Sequence, residues 1–287
     1  MKSFRICIQN IRKWTSNSRI WMLFFAALLF VYTYTKGIRQ VADVMDSPIS
    51  IWIYPFLFTY RYIKIIFMAL LIFIFCDAPF IDTNQPYVML RTKRSVWSIG
   101  QILYIMIGSF LYELFLIIST IIVNIGNLEF TMEWGKVLGA MGTTSVASKA
   151  GVIYTTVNIN RQIITCFTPL QAMFFSMLVT WLSFVFIGLV IYVVNVVTRT
   201  KIAGAVTAAG LVIFTAVADV AAFDGNKAVT WFSPMSWNSL NNIDIGGVTQ
   251  YPTIDFVLGF YIISIVILSI IAVVVGKKQN VEVSIVQ

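Results

Sequence analysis

Residues 170–197 have the sequence LQAMFFSMLVTWLSFVFIGLVIYVVNVV, which contains no charged residue. A helix needs about 20 consecutive, mostly apolar residues to cross the hydrocarbon core of a bilayer, so this stretch is long enough to span a membrane. Other apolar runs with few charges predict further spans on both sides of it. The six predicted spans are residues 20–35, 62–76, about 100–126 within 96–126, 170–197, 202–223 and 254–276. The sequence therefore predicts an all-α integral membrane protein.

The composition leads to the same conclusion. Of the 287 residues, 59% are hydrophobic and 11% are charged, whereas soluble domains contain about 45–50% apolar and about 25% charged residues. So few polar residues could not cover the surface of a soluble fold. The formal charge of +8 does not form one basic patch, because the basic residues flank the apolar runs. We therefore attribute the charge to membrane topology and expect a lipid bilayer, not a nucleic acid, as the partner.

The basic residues also predict the orientation of the chain. Six spans put both termini on one side, and the positive-inside rule assigns the side richer in Lys and Arg to the cytoplasm. Cytoplasmic termini place more than half of the 20 basic residues inside. These inner residues are Lys2, Arg5, Arg12, Lys13, Arg19, Arg91, Lys93, Arg94, Arg199, Lys201, Lys277 and Lys278. Both termini, including a tail over residues 277–287, are therefore predicted to be cytoplasmic.

Residues 1–19 precede the first span and are predicted to form an amphipathic helix. Their apolar residues recur at helical spacing, and basic residues lie on the flanks. The apolar residues are Phe4, Ile8, Ile11 and Trp14, and the basic ones are Lys2, Arg5, Arg12 and Lys13. Such a helix lies in the headgroup region of the inner leaflet. A disordered basic leader is the alternative.

Three segments on the predicted outer side differ in character. Residues 36–61 contain an aromatic stretch that suits an interfacial position. Residues 127–169 are long and mixed, and TTVNINRQIITCFTP at 155–169 is compatible with an extended segment. The third segment contains WFSPMSWNSL at 231–240, whose two tryptophans predict a short element resting on the outer surface.

Motifs for catalysis or metal binding are missing from the sequence. It contains no His, the commonest metal ligand and a common general base, and no GxxxxGK[ST] loop, HExxH or GxSxG motif. Cys7, Cys76 and Cys166 have no CxxC spacing, so we expect small buried residues instead of disulfides or zinc ligands. No catalytic, cofactor-binding or metal site is predicted, and the chain is not expected to be an enzyme.

The fifth predicted span, residues 202–223, is rich in small residues. Gly204 and Ala208 are one helical turn apart and form a small-xxx-small pair, which allows two helices to approach closely. A helix that faces lipid has no need of such a pair. We therefore predict that this span packs against protein, either within the bundle or across a dimer interface.

The segment between the second and third spans, residues 77–101, combines apolar and basic residues. Tyr87 to Leu90 form an apolar patch, and Arg91, Lys93 and Arg94 follow as a basic edge. A short element of this kind suits docking into a groove on another protein. The alternative is that the three basic residues only determine topology and contact lipid phosphate.

The pattern LRTKRSVWSIGQ at residues 90–101 resembles the permease subunits of type-2 ABC exporters. Those proteins similarly have an interfacial N-terminal helix, six spans and a coupling helix between the second and third spans. They also have a Pro-containing surface helix between the last two spans, which residues 231–240 resemble. The long segment 127–169 departs from the family, many members of which have a short turn there.

The resemblance implies a permease that pairs with a second permease and with two separate cytoplasmic ATPases, which would bind ATP and Mg²⁺. Coupling would pass through residues around 79–94. The residues implied in contact with the ATPase are Tyr87, Leu90, Arg91, Lys93 and Arg94. Peptides, antimicrobial compounds and lipid-like envelope precursors are cargo classes of this family, and its location is the bacterial cytoplasmic membrane.

Glu113 lies near the middle of the third predicted span, where a carboxylate is costly unless it is paired, protonated or hydrated. Ser109, Glu113, Leu116 and Thr120 share one side of the helix, with Tyr112 at its edge. This face is predicted to line the transport path or a polar interface between permeases. The alternatives are a structural hydrogen bond and a register that brings Glu113 closer to the outer surface.

Two other functions are compatible with the sequence. An ion-coupled secondary carrier would have internal repeats, broken helices and several charges within its spans. No repeat is evident here. Glu113 lies well inside a predicted span, and Asp219 lies near the outer end of another. A non-transporting immunity or sensor protein with the same architecture is the other possibility.

Overall fold

The computed structural model describes residues 2–80, 92–151, 159–245, 247 and 249–278. Within these ranges the chain is largely helical. The helices are α1 (Lys2–Arg12), α2 (Ser18–Met45), α3 (Arg61–Phe75), α4 (Arg94–Ile122), α5 (Gly135–Thr143), α6 (Val146–Lys149), α7 (Arg161–Cys166), α8 (Pro169–Thr198), α9 (Ala203–Phe223) and α10 (Ile254–Lys278). Two short strands, β1 (Ile49–Ser50) and β2 (Leu128–Glu129), pair in parallel.

Within the described residues, α2, α4, α8, α9 and α10 are long and apolar enough to cross a membrane. The predicted all-α membrane architecture is confirmed at this level. The second predicted span corresponds to α3, which has 15 residues and is shorter than the other five. The first predicted span is longer in the structure, because α2 continues to Met45 through polar residues beyond the apolar run.

Helix α8 is the centre of the bundle. In its most apolar stretch 72% of the residues are buried, against 17% in α10. It packs against α3, α4, α9 and α10. The Trp181 side chain donates a hydrogen bond to the Met106 carbonyl of α4 at 3.0 Å, and Gly188 lets Phe75 and Ile105 approach the helix closely. An uncharged helix in this position needs no partner for a buried charge.

We call the two ends of the helix bundle the tail end and the loop end. The tail end carries α1, the ends of α3 and α8, and the starts of α4 and α9. Gly100 faces Ile6 there, and Gly276 faces Ser98, so both ends of the described chain lie at the tail end. The opposite loop end carries the ends of α2, α4 and α9 and the starts of α3, α8 and α10.

The N-terminal helix packs on protein as well as presenting a polar face. Ile6 and Cys7 of α1 are buried against the bundle. Asn10 Nδ2 donates a hydrogen bond to Gln101 Oε1 of α4 at 3.1 Å. The Trp14 indole then donates to the Tyr104 hydroxyl at 2.7 Å. These contacts hold α1 along the first turns of α4.

The aromatic segment after α2 differs from its prediction as an interfacial segment. Residues 53–58 are completely buried or nearly so, and they include the 3₁₀ turn Tyr54–Phe56. The Tyr34 hydroxyl donates a hydrogen bond to the Phe56 carbonyl at 2.6 Å. Packing against α4 and α8 buries whole aromatic rings, which a position at the headgroups cannot do, and this gain draws the segment into the bundle.

The segment between α4 and α8 also differs from the sequence-based expectation. Arg161–Cys166 is helical instead of extended, because the Asn160 side chain caps α7 by accepting from the Gln162 amide at 2.8 Å. Cys166 at its end is exposed and Cys76 is half-buried, so among the three cysteines only Cys7 is a buried small residue. Residues 152–158, which come shortly before α7 in the chain, lie outside the described residues.

The predicted surface element between α9 and α10 consists of three consecutive 3₁₀ turns, Lys227–Phe232, Pro234–Asn238 and Leu240–Asn242. Met235 and Trp237 are fully buried. The Trp237 indole donates to the Thr230 carbonyl at 2.8 Å, and the Tyr261 hydroxyl of α10 donates to the Pro234 carbonyl at 2.7 Å. The element is therefore anchored in the bundle and does not merely rest on it.

Candidate functional site

The structure places the predicted polar face of α4 inside the bundle. The side chains of Ser109, Tyr112, Glu113, Leu116 and Thr120 are all buried. The Tyr54 hydroxyl, from the inserted aromatic segment, donates to Glu113 Oε1 at 2.6 Å. Sequence analysis singled out Glu113 but not Tyr54, whose burial depends on the fold of the loop before α3.

Several buried polar atoms on α4 and α8 lack a hydrogen-bond partner among the described residues. They include Glu113 Oε2 and the hydroxyls of Ser109 and Ser176. Ser109 lies one turn before Glu113 on α4, and Ser176 lies one turn before Thr180, which adjoins the Tyr54 hydroxyl. We call Tyr54, Ser109, Glu113, Ser176 and Thr180 the carboxyl cluster. A charged carboxylate here would cost several kcal/mol, so the cluster suits a protonated acid or a bound cation or water.

A buried ion pair joins α3 to α9 at the loop end. Lys64 Nζ contacts Asp219 Oδ2, and the two side chains are only 2% and 7% exposed. Asn242 Nδ2 donates to Asp219 Oδ1 at 3.0 Å, which links the pair to the last 3₁₀ turn. Lys64 was missed at the sequence level, although it is the one charged residue of the predicted span 62–76. An intramembrane charge of this kind is itself a signal of function.

A cleft of about 650 Å³ opens above this ion pair at the loop end. Most of the residues that line it have polar side chains, and it is built by the starts of α3 and α7, the end of α9 and the chain before α10. The lining residues include Thr59, Tyr60, Arg61, Lys64, Asn160, Gln162, Asp219, Lys227, Asn241, Asn242, Thr249 and Tyr251. Burial and the nearby Asp219 carboxylate raise the pKa of the Tyr251 phenol. We call this space the loop-end cleft.

Two of the predicted coupling residues, Lys93 and Arg94, lie at the tail end. Lys93 precedes α4 as its N-cap, and Arg94 is its first residue. Tyr87, Leu90 and Arg91 lie outside the described residues. Arg19 Nη2 of α2 donates to Asp77 Oδ2 at 2.5 Å, just after α3. This ion pair therefore lies at the start of the segment 77–101, and Lys93 and Arg94 lie in the same segment where α4 begins.

The predicted small-residue pair packs within the chain. The Gly204 amide donates to Asn195 Oδ1 of α8 at 2.7 Å, and Asn195 Nδ2 donates to the Ala78 carbonyl at 2.7 Å. Ala208 is fully buried one turn later. The close approach at Gly204 is thus between α8 and α9, and it ties both helices to the residues that follow α3.

The acidic and thiol groups of the described ranges include no group of three or more that could hold a metal ion. Comparison of the chain with protein-family models, curated proteins and solved structures finds no match. The function is therefore inferred from the residues and their geometry.

Proposed function

We propose that this chain is the membrane-spanning permease subunit of a type-2 ABC exporter. One observation carries the proposal. Two residues of the pattern that resembles this family contact the N-terminal helix, since Gly100 faces Ile6 and Gln101 accepts a hydrogen bond from Asn10. Trp97, from the same pattern, is buried with 2% exposure. The motif thus overlaps the end of the coupling segment and continues into a tail-end unit in which α4 packs against α1.

This unit is suited to transmit motion into the bundle. A partner that pushes on the segment before Arg94 would move the start of α4 together with α1. Glu113 lies three turns further along the same helix, about 18 Å from Gln101 at 1.5 Å per residue. A rigid shift of α4 would therefore reach the carboxyl cluster, and α8 beside it, without unfolding either helix.

The proposal has consequences for partners and topology. Since the chain has no phosphate-binding loop, separate cytoplasmic ATPases would bind ATP and Mg²⁺, and a second permease would complete the path. The short helix α3 would also cross the membrane, which gives six spans in total. Both termini would be cytoplasmic, in a bacterial cell membrane. Peptides, antimicrobial compounds and lipid-like molecules are the cargo classes that the resemblance suggests.

The ATPase contact is tested by charge reversal in its predicted docking segment. Replacing Arg91, Lys93 and Arg94 together with Glu should abolish copurification of ATP-hydrolysing activity, because the introduced carboxylates would repel the acidic groove that the basic edge is proposed to bind. The measurement is ATP hydrolysis by the tagged chain purified from its native membrane, normalised to the amount of chain. We expect at least a tenfold loss.

The matched control reverses three basic residues at the loop end, Lys136, Lys149 and Arg161. This variant should retain its ATPase, since these residues lie at the opposite end of the bundle. Equal ATPase activity in both variants, with normal insertion, would refute docking at the tail end. A wild-type chain that purifies without any nucleotide-hydrolysing subunit would refute the exporter proposal itself.

The carboxyl cluster favours one competing function, an ion-coupled carrier, because such carriers bind protons or cations at buried carboxyl groups. A carrier would work without a partner. The purified chain in proteoliposomes would then show proton uptake, followed with an enclosed pH-sensitive dye, when an ion gradient is applied. Glu113→Gln would abolish that flux. Absence of flux from the wild-type chain excludes the carrier and is the result expected from a permease that needs ATPases.

The Tyr54–Glu113 hydrogen bond predicts a difference between two substitutions. Glu113→Gln keeps an oxygen acceptor for the Tyr54 hydroxyl and should change the free energy of unfolding by less than about 1 kcal/mol. Glu113→Leu leaves that hydroxyl buried without an acceptor and should cost about 1–3 kcal/mol. The thermal midpoint of the detergent-solubilised chain measures both. Restoration by the double variant Tyr54→Phe, Glu113→Leu would identify the hydroxyl as the cause, and equal midpoints for Gln and Leu would contradict the prediction.

A further inference from the structure

The loop-end cleft carries more positive than negative charge. Three cations line it, Arg61, Lys64 and Lys227, against one carboxylate, that of Asp219. The Lys64–Asp219 pair neutralises two of these groups. Neither Arg61 nor Lys227 forms an ion pair with a carboxylate in the part of the chain that the structure describes. A surplus of two positive charges therefore faces the cleft.

Aromatic rings hold these two cations in place. The Arg61 guanidinium lies over the Tyr62 ring, 5.1 Å from its centroid, and Lys227 Nζ lies over the Tyr251 ring at the same distance. A cation–π contact orients a cation without neutralising its charge. Both groups are thus positioned in advance and keep their charge for a further partner.

Uncharged donors complete the lining. The Asn160 side chain uses its oxygen to cap α7, which leaves its NH₂ end for the cleft, and the side-chain amides of Gln162 and Asn241 lie along the same space. Two cations and several neutral donors match an anion that has several oxygens and up to two charges. A phosphate group has this chemistry, whereas a carboxylate offers only two oxygens and one charge.

An apolar side chain lies at the rim of the cleft. Phe223, at the end of α9, lines the cleft and is 87% exposed. The volume of about 650 Å³ is in the range of small-molecule sites, about 300–1,000 Å³, and has room for a phosphate with its substituents. We propose that the loop-end cleft binds a phosphate-bearing ligand, with Arg61 and Lys227 as the groups that bind its phosphate.

This proposal does not depend on an ATPase partner, so its test uses the chain alone. The protein is placed in phosphatidylcholine nanodiscs and titrated calorimetrically with inorganic pyrophosphate and, separately, with short-chain phosphatidylglycerol. Arg61→Gln and Lys227→Gln should each weaken binding about tenfold, the effect of losing one charge-assisted hydrogen bond. Lys149→Gln, which removes an exposed loop-end cation outside the cleft, should leave affinity unchanged.

Each outcome decides a specific point. Binding of phosphatidylglycerol but not of pyrophosphate would assign the site to a lipid headgroup, and binding of pyrophosphate would assign it to a soluble phosphate. In both cases, the loss of affinity in the Arg61→Gln and Lys227→Gln variants would show that the probe binds in the loop-end cleft. No binding of either probe at millimolar concentration, or an equal loss in Lys149→Gln, would overturn the proposal. The thermal midpoint of each variant shows whether the fold is intact.

Discussion

Replacing Lys64 with Met is expected to destabilise the folded chain by about 3–5 kcal/mol, the cost of removing one partner from a buried ion pair. The Asp219 carboxylate would remain between α3 and α9, only 7% exposed, with the Asn242 amide still donating a hydrogen bond to it. Low-polarity surroundings make such a lone charge far more costly than a charge at a soluble surface. We expect a sharp fall in the yield of monodisperse protein and in its thermal midpoint.

The double variant Lys64→Met, Asp219→Asn should recover most of this loss. Asn keeps an oxygen that accepts from Asn242, and neither charge is then left alone. Replacing a buried pair by neutral groups of similar size is often close to neutral in stability. A double-mutant cycle on thermal midpoints in detergent measures the coupling directly.

Additive effects in that cycle would contradict the ion pair. So would a Lys64→Met variant with the midpoint of the wild type. If the single variants yield too little protein for melting, the fraction that elutes as a monodisperse peak in fluorescence-detected chromatography gives the same comparison, because misassembled membrane proteins elute as aggregates.

Gly204→Ala is expected to be the most damaging addition of a single methyl group among the glycines of α9. A Cβ atom at this position would overlap the carbonyl oxygen of Ile191 and lie 2.8 Å from Asn195 Oδ1. The Ile191 carbonyl is backbone within the central helix α8 and cannot turn away like the end of a side chain. Overpacking of this kind costs about 1–3 kcal/mol, and Gly204→Leu should cost more.

Gly210→Ala is the matched control, since it makes the same change six residues later on α9. Nothing lies within 4 Å of a Cβ atom there, and Ala stabilises a helix by about 1 kcal/mol relative to Gly. The two substitutions should therefore shift the thermal midpoint in opposite directions. A fall of equal size in both would mean that α9 does not pack against α8 at Gly204.

Hydropathy predicted the helices well because it reports a local property. A run of apolar residues must be helical in lipid to satisfy its backbone, so the start of α10 was predicted at residue 254 and the bounds of α9 within one residue. The buried face of α4 followed from helical spacing in the same way. Polar residues that prolong a helix beyond the bilayer carry no such signal, and α2 was predicted to end near 35 instead of at Met45.

Contacts between distant residues could not be predicted from single segments. Lys64 and Asp219 lie in different helices and pair only because α3 and α9 pack side by side. The sequence analysis noted Asp219 as an isolated charge and did not single out Lys64. Tyr54 belonged to an aromatic stretch that suits a headgroup position equally well. Its place beside Glu113 depends on the burial of that whole segment among α4 and α8, where the gain from packing several aromatic rings exceeds the gain from an interfacial position. Local polarity determines which segments enter the membrane, whereas the pairing of buried polar groups depends on which helices become neighbours.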